Sequence, residues 1–391
     1  MKIGILTQPL LNNYGGVLQN YALQHVLKRL GHKVETVDWR PIVPSPFVMW
    51  LWRNKNTFMH FFDKSIEIPR YQLTNIEQAV VSQNTNYFIH HYIDVCPTLV
   101  RTPEMFNDVD RQFNYDCYVI GSDQCWRPCY NSMLQSMFLD FCKTRNVMRV
   151  AYAASFGSSQ WEYSDEMTRS CSALAKLFDL ITVREKSGVS LCREYLGVDS
   201  IHVLDPTLLL SKDDYEALVN KENEKKNKGT LFHYILDPSE QKKSLIELIA
   251  LENGLKPFTV MPKCQVENRT RKDVKKHIED CIFPSVTSWL RGFMDAKMVV
   301  VDSFHGAVFS IIFNKPFWVV NNPHRGSARF DSLLDLFGLS NRLITPENLS
   351  HFDWNQPINW EQVNSIKKDE NQRCIELLTN VLNQGKIKIC H

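Results

Sequence analysis

His305 sits where a titratable side chain can act. It lies in the run Val299-Val300-Val301-Asp302-Ser303-Phe304-His305-Gly306, where an apolar strand enters a polar crossing and an apolar helix, Ala307 to Phe313, leaves it. An unperturbed imidazole titrates near neutrality and can give or take a proton. A histidine satisfied in a core is the competing reading. The neighbouring hydroxyl, the glycine and the strand end favour function, because ligands of open parallel sheets gather beyond the carboxyl ends of strands.

Other strand ends carry complementary chemistry. Arg184 follows the run Leu180 to Val183, where a guanidinium can hold a carboxylate or phosphate in bidentate fashion. A salt bridge to Glu185 or Asp179 is the alternative. Arg325 and Arg329 follow the strand Phe317 to Val320 and could complete an anion site with Arg184, or form a solvated basic loop. The run Ser122-Asp123-Gln124-Cys125-Trp126 puts hydrogen-bonding groups and an indole after a strand, a mixture suited to sugar hydroxyls and a sugar face; a helix N-cap by Ser122 or Asp123 is its alternative. Asn12-Asn13-Tyr14-Gly15-Gly16 follows the first strand, and its glycines permit a tight turn and close approach of a ligand to the backbone. It is not a GxGxxG dinucleotide fingerprint. Asp205-Pro206-Thr207 reads as a turn or helix start.

The elements that must position these residues alternate. Lys2 to Thr7 reads as a strand, Val17 to Leu30 as a helix ended by Gly31, and Val34 to Trp39 as a second strand, which opens a parallel β-α-β unit. Strands are predicted at 116–120, 147–153, 180–183 and 201–204. After the Lys-rich stretch 221–228 the pattern restarts, with strands at 230–235, 258–261, 298–301 and 317–320. The reading is α/β with a doubly wound N-terminal domain over 1–200, a second over 201–359, and a final helix within 360–391 that either caps the second domain or crosses back to the first. Residues from about 40 to 85, rich in proline and aromatics, interrupt the repeat as an insertion.

Composition narrows the function. A chain of 391 residues, 44% hydrophobic and 23% charged, is long enough for two cores and too apolar for disorder. Its formal charge of +2 implies no polyanion-binding field, so nucleic acid is not expected as a partner. The 11 cysteines contain no CxxC pair and no metal-ligand spacing, so reduced thiols and no metal are expected. No apolar run is long enough to span a bilayer and Met1 to Leu11 lacks the features of a signal peptide, so a cytoplasmic location is expected.

Four segments in this order, Asn13-Tyr14-Gly15-Gly16-Val17-Leu18-Gln19-Asn20-Tyr21-Ala22-Leu23, Ile120-Gly121-Ser122-Asp123-Gln124-Cys125-Trp126, Val183-Arg184-Glu185-Lys186 and Asp302-Ser303-Phe304-His305-Gly306, resemble the polysaccharide pyruvyl transferases. The resemblance implies two Rossmann-like domains facing across a cleft, as in GT-B glycosyltransferases. It implies phosphoenolpyruvate as donor and co-substrate, with no other cofactor. The implied acceptor is a galactose or related hexose of a cell-surface glycan, often lipid-linked, and the product a pyruvate ketal bridging two hydroxyls. His305 matches the family histidine and is the expected general acid, while Arg184 matches a donor-binding arginine.

The family often has a second arginine two residues before the histidine, where this chain has Ser303. Arg325, Arg329 or Lys263 is expected to supply that charge, with Ser303 and Phe304 beside the donor. The expected acceptor side comprises Asn13, Tyr14, Gly15, Gly16, Asp123, Gln124 and Trp126. The aromatic and basic cluster Phe47 to Arg53 could touch a membrane's inner face or a lipid carrier, or could cover a satellite core. Two other functions fit the same architecture: a nucleotide-sugar glycosyltransferase and a non-catalytic glycan-binding protein.

Overall fold

A computed structural model of the chain describes residues 1–40, 42, 45–63, 73–264, 276–322, 328–345 and 353–389. In the first half the order is β1 (Lys2–Leu6), α1 (Tyr14–Arg29), β2 (Lys33–Thr36), α2 (Pro46–Phe62), α3 (Asn75–Val81), α4 (Gln83–Tyr92), α5 (Pro103–Phe113), β3 (Cys117–Ile120), β4 (Met148–Ala154), α6 (Asp165–Ala175), β5 (Leu180–Val183), α7 (Lys186–Leu191) and β6 (Ile201–His202). The second half continues with α8 (Lys212–Lys221), β7 (Leu231–Tyr234), α9 (Glu240–Glu252), β8 (Pro257–Phe258), α10 (Val286–Asp295), β9 (Met298–Val301), α11 (Phe304–Ile312), β10 (Phe317–Val320), α12 (Ala328–Leu336), β11 (Leu343–Ile344) and α13 (Trp360–Ile389).

Among the described residues the strands form two parallel sheets, one of order β2-β1-β3-β4-β5-β6 and one of order β11-β10-β9-β7-β8. Strands buried on both faces read as continuous apolar runs, as in Cys117-Tyr118-Val119-Ile120 and Met298-Val299-Val300-Val301. Their side chains still alternate. Cys117 and Val119 enter one core, Tyr118 and Ile120 another. In the second sheet Val299 and Val301 join the core that holds Cys117 and Val119, whereas Met298 and Val300 face a third. One apolar core therefore runs through both halves and carries α1, α10 and α11 between the two sheets.

Strand order reverses between β1 and β3 in the first sheet and between β7 and β9 in the second. Such reversals open a crevice at the carboxyl ends of the strands. The final helix returns to the first half: Asn371 donates to the Leu208 carbonyl and Arg373 to the His202 carbonyl, each at 2.9 Å, while Cys374, Leu378 and Leu382 enter the shared core. The insertion contains α2, α3 and the start of α4. Several expectations shift locally: α1 begins at Tyr14 rather than Val17, β2 ends at Thr36 rather than Trp39, β6 stops at His202 and β8 is only Pro257–Phe258, and the short strand β11 is additional.

Candidate functional site

Both reversal points open onto one cavity of about 600 Å³. Gln8, Asn13 and Gly15 line it after β1, Asp123 and Gln124 after β3, Tyr234 and Leu236 after β7, and Asp302, Ser303, Phe304 and His305 after β9. Trp39, Tyr130 and Phe330 add aromatic wall, and Arg329 adds a guanidinium.

His305 is carried on the first turn of α11. Ser303 caps that helix by accepting the Gly306 N–H at 3.1 Å, which satisfies an end group that would otherwise lack a partner. The adjacent Asp302 is buried and ties loops together: it accepts the Leu236 and Asp237 N–H groups at 2.7 and 3.1 Å and pairs with Lys242 at 2.7 Å. Across the crevice, Asn13 caps α1 in the same manner, accepting the Gly16 N–H at 3.1 Å. Gly15 and Gly16 are thus the first turn of a helix rather than a loop. A β-carbon at Gly15 would lie 2.1 Å from His305 Nδ1, so the close approach that this glycine permits is that of the imidazole.

Behind His305 lies a buried charge cluster. His305 Nε2 faces Asp205 Oδ2 at 3.5 Å, and the same oxygen accepts from Arg184 at 3.0 Å and from Ser122 at 3.1 Å. The other nitrogen of the Arg184 fork reaches Asp123 at 3.2 Å. Burial by itself raises the carboxyl of Asp205, but His305 and then Arg184 outweigh it and hold it far below the usual carboxylate range. Burial likewise opposes ionisation of Asp123, and Arg184, His305 and Arg329 together bring it below its ordinary value. Arg329, desolvated and near Arg184, is lowered to about 10 and stays charged at neutral pH. The Phe304 ring lies between the two guanidinium groups, 4.6 Å from Arg184 and 5.7 Å from Arg329.

Several expected positions lie elsewhere. Arg184 does not line the cavity; it is 2% exposed, in a double ion pair whose partners, Asp123 and Asp205, are neither of those the sequence offered. Glu185 instead accepts the Phe156 and Gly157 N–H groups. Trp126 is fully buried, donating to the Met137 carbonyl at 3.0 Å and stacking on Phe138 at 4.6 Å, so it offers no face to a sugar. Tyr14 is also buried: its hydroxyl donates to the Pro284 carbonyl at 2.9 Å and its ring stacks on Trp289 at 5.5 Å, fastening α1 to the second half. Ser122 and Asp123 cap no helix.

Lys263 is exposed, pairs with Asp280 at 3.4 Å, and lines a separate hollow beside α9. Arg325 lies outside the described residues. Asn13, Gly15, Asp123, Gln124, Ser303, Phe304, His305 and Arg329 do come together at the cavity.

Asp205 makes the turn its sequence implies with one oxygen: Oδ1 accepts the Thr207 N–H at 3.0 Å and the Thr207 hydroxyl at 2.7 Å. Its second oxygen faces His305 and Arg184. A strand-end carboxylate with one oxygen left over by its turn was the available signal. Trp39 and Tyr130, at strand and loop ends, carried no signal that set them apart from core aromatics.

In the search of solved structures, similarity extends over nearly the whole chain at low identity. A Listeria monocytogenes protein described as a UDP-N-acetylglucosamine 2-epimerase is 11% identical with a TM-score of 0.50, over 94% of this chain and 90% of that one. TcCGT1, solved in complex with UDP, is 7% identical with a TM-score of 0.50, over 98% and 99%. The UDP-N-acetylglucosamine 2-epimerase of Neisseria meningitidis is 12% identical with a TM-score of 0.47, over 98% and 100%. With the first two, the shared feature is the two-sheet, GT-B-like architecture. No curated protein sequence matches the chain. The model of one family matches residues 13–324, a span that takes in the crossings at Asn13 and at His305: the chain belongs to the polysaccharide pyruvyl transferase family.

Proposed function

We propose that the protein moves the enolpyruvyl group of phosphoenolpyruvate onto two hydroxyls of a hexose, galactose foremost, in a cell-surface or capsular glycan precursor, forming a pyruvate ketal with His305 as general acid. The observation that carries this reading is the contact of His305 with Asp205 at the wall of the cavity. The carboxylate stands 3.5 Å from Nε2, which makes no hydrogen bond among the described residues, and gives the positive form of the ring a counter-charge.

The donor is an anion at both ends, and two helix N-termini, those of α1 and α11, open on the cavity through Asn13 and Ser303 while Arg329 lines it as a cation. Arg329 supplies the guanidinium that relatives carry at the position of Ser303. Arg184 acts from behind, holding Asp123 and Asp205 rather than the donor. In the first step His305 protonates the methylene carbon, leaving an electrophilic carbon that the first sugar hydroxyl attacks. That hydroxyl returns its proton to His305. Phosphate then leaves, and the second hydroxyl closes the ketal, its proton departing with the phosphate. One proton thus ends in the new methyl group and one on phosphate.

Incubation with phosphoenolpyruvate and galactose-terminated acceptors should release phosphate and add the mass of one pyruvyl ketal. Tight UDP binding with no phosphate release from any acceptor would point to nucleotide-sugar chemistry. Glycan binding without turnover would point to a non-catalytic role.

A further inference from the structure

Among the described residues nothing covers the helix α2, Pro46–Phe62. None of its residues whose burial is described is buried, and Phe47, Trp50, Trp52, Phe58, Phe61 and Phe62 are each more than half exposed. Soluble monomers seldom show a contiguous apolar patch beyond a few hundred Å². Five of these aromatic side chains share one face of the 17-residue helix and exceed that, since each can bury about 150–250 Å². No described helix is long and apolar enough to cross a membrane.

The distribution is that of an interfacial helix. At 3.6 residues per turn Phe47, Trp50, Leu51, Phe58, Phe61 and Phe62 share one face, with Phe47 stacked on Trp50 and Phe58 edge-on to Phe62. Arg53, Asn56 and His60 occupy the opposite side together with Trp52, Asn54 sits within the aromatic face, and Thr57 and Lys55 lie at its two borders, where the long lysine side chain can reach back toward water. Pro46 to Phe62 contains no aspartate or glutamate, so every permanent charge on the helix is positive. A self-association seam would call for a narrow aliphatic stripe at heptad spacing. A wide aromatic face beside cations matches the lipid-water boundary.

We propose that α2 lies in the plane of an anionic lipid surface, with its aromatic face inserted and Arg53 and Lys55 at the headgroups. Seven residue-to-residue steps link Trp39 in the cavity wall to Pro46, at most about 25 Å of chain. The cavity is thereby held close to the lipid, a position suited to a lipid-borne acceptor; that last consequence rests on the pyruvyl-transfer reading, whereas the membrane contact does not.

Co-sedimentation of the full chain with phosphatidylcholine vesicles, with and without phosphatidylglycerol, requires no turnover and so fails or succeeds separately from the proposed chemistry. The wild type is expected to pellet with the phosphatidylglycerol vesicles and to be released by salt. Arg53→Gln with Lys55→Gln should lower partitioning roughly 25-fold, about fivefold per cation. Phe47→Ser, Trp50→Ser, Phe58→Ser and Phe61→Ser combined should abolish it, with the thermal transition retained because these side chains are exposed. Leu248→Ser with Leu251→Ser, two exposed apolar positions on α9, should leave binding unchanged. Absence of vesicle binding, or binding indifferent to the α2 substitutions, would overturn the proposal. So would a wild-type dimer that ignores vesicles and dissociates in the aromatic variant, since a second copy would then cover the helix.

Discussion

The two strand-to-helix crossings that face each other across the cavity are built to one plan. Asn13-Tyr14-Gly15-Gly16 and Ser303-Phe304-His305-Gly306 each begin with a capping side chain that accepts the N–H of the glycine three residues on, at 3.1 Å in both. Each then sends an aromatic ring into the opposite half: Tyr14 onto Trp289, Phe304 onto Arg184. They differ at the third position, glycine on one side and histidine on the other, and these two residues meet. One crossing carries the titratable group and the other makes room for it. A shared backbone scaffold thus supports an asymmetric site: the buried carboxylates meet a titratable ring on one side, where Asp205 faces His305, and a neutral amide on the other, where Asp123 accepts from Asn13 at 3.5 Å.

The largest effect is expected from that cluster. Arg184→Ala would leave Asp123 and Asp205 buried without their guanidinium, at a cost of about 3–5 kcal/mol, visible as a lower midpoint in denaturant. His305→Ala should slow phosphate release on the order of 100-fold or more, with a smaller loss of stability than the arginine variant. A near-wild-type rate would remove the asymmetry drawn between the crossings. Gly15→Ala should cost about 1–3 kcal/mol through the clash with His305 and should slow the same reaction by moving the ring off Asp205. Asn13→Ala and Ser303→Ala should each cost about 1 kcal/mol, and a marked inequality would break the structural half of the comparison.

Asp205→Asn sharpens it through pH. Because the folded-state carboxyl is held far below its unfolded value of about 3.9, its contribution is fully present above that value and is lost as pH falls below it. The gap in thermal midpoint between wild type and Asp205→Asn should therefore be widest near neutrality and narrow below about pH 4.

How far the site could be read in advance depended on the kind of interaction. Val299 to Val301 running into Asp302 and His305 is a local pattern, since a strand buried on both faces must be apolar and must end where polar groups begin. For the same reason β5 and the position of Arg184 at its end were legible. What Arg184 touches was not. Asp123 and Asp205 lie 61 and 21 residues away along the chain, and no local pattern separates them from the nearer Glu185 or Asp179. Trp126 and Tyr14 were misplaced for a related reason: an indole or phenol after a strand end has the same composition whether it turns toward the crevice or into the core.

The sequence by itself determined the α/β alternation, the ends of its main strands and the histidine at the carboxyl end of β9, because strand burial and helix capping act over a few residues. Only the tertiary structure decided that Gly15 makes space for His305, 290 residues away, and that one oxygen of Asp205 serves a turn while the other faces the imidazole. Those pairings follow from how two sheets pack across a shared core, and packing joins residues by shape and charge rather than by their spacing along the chain.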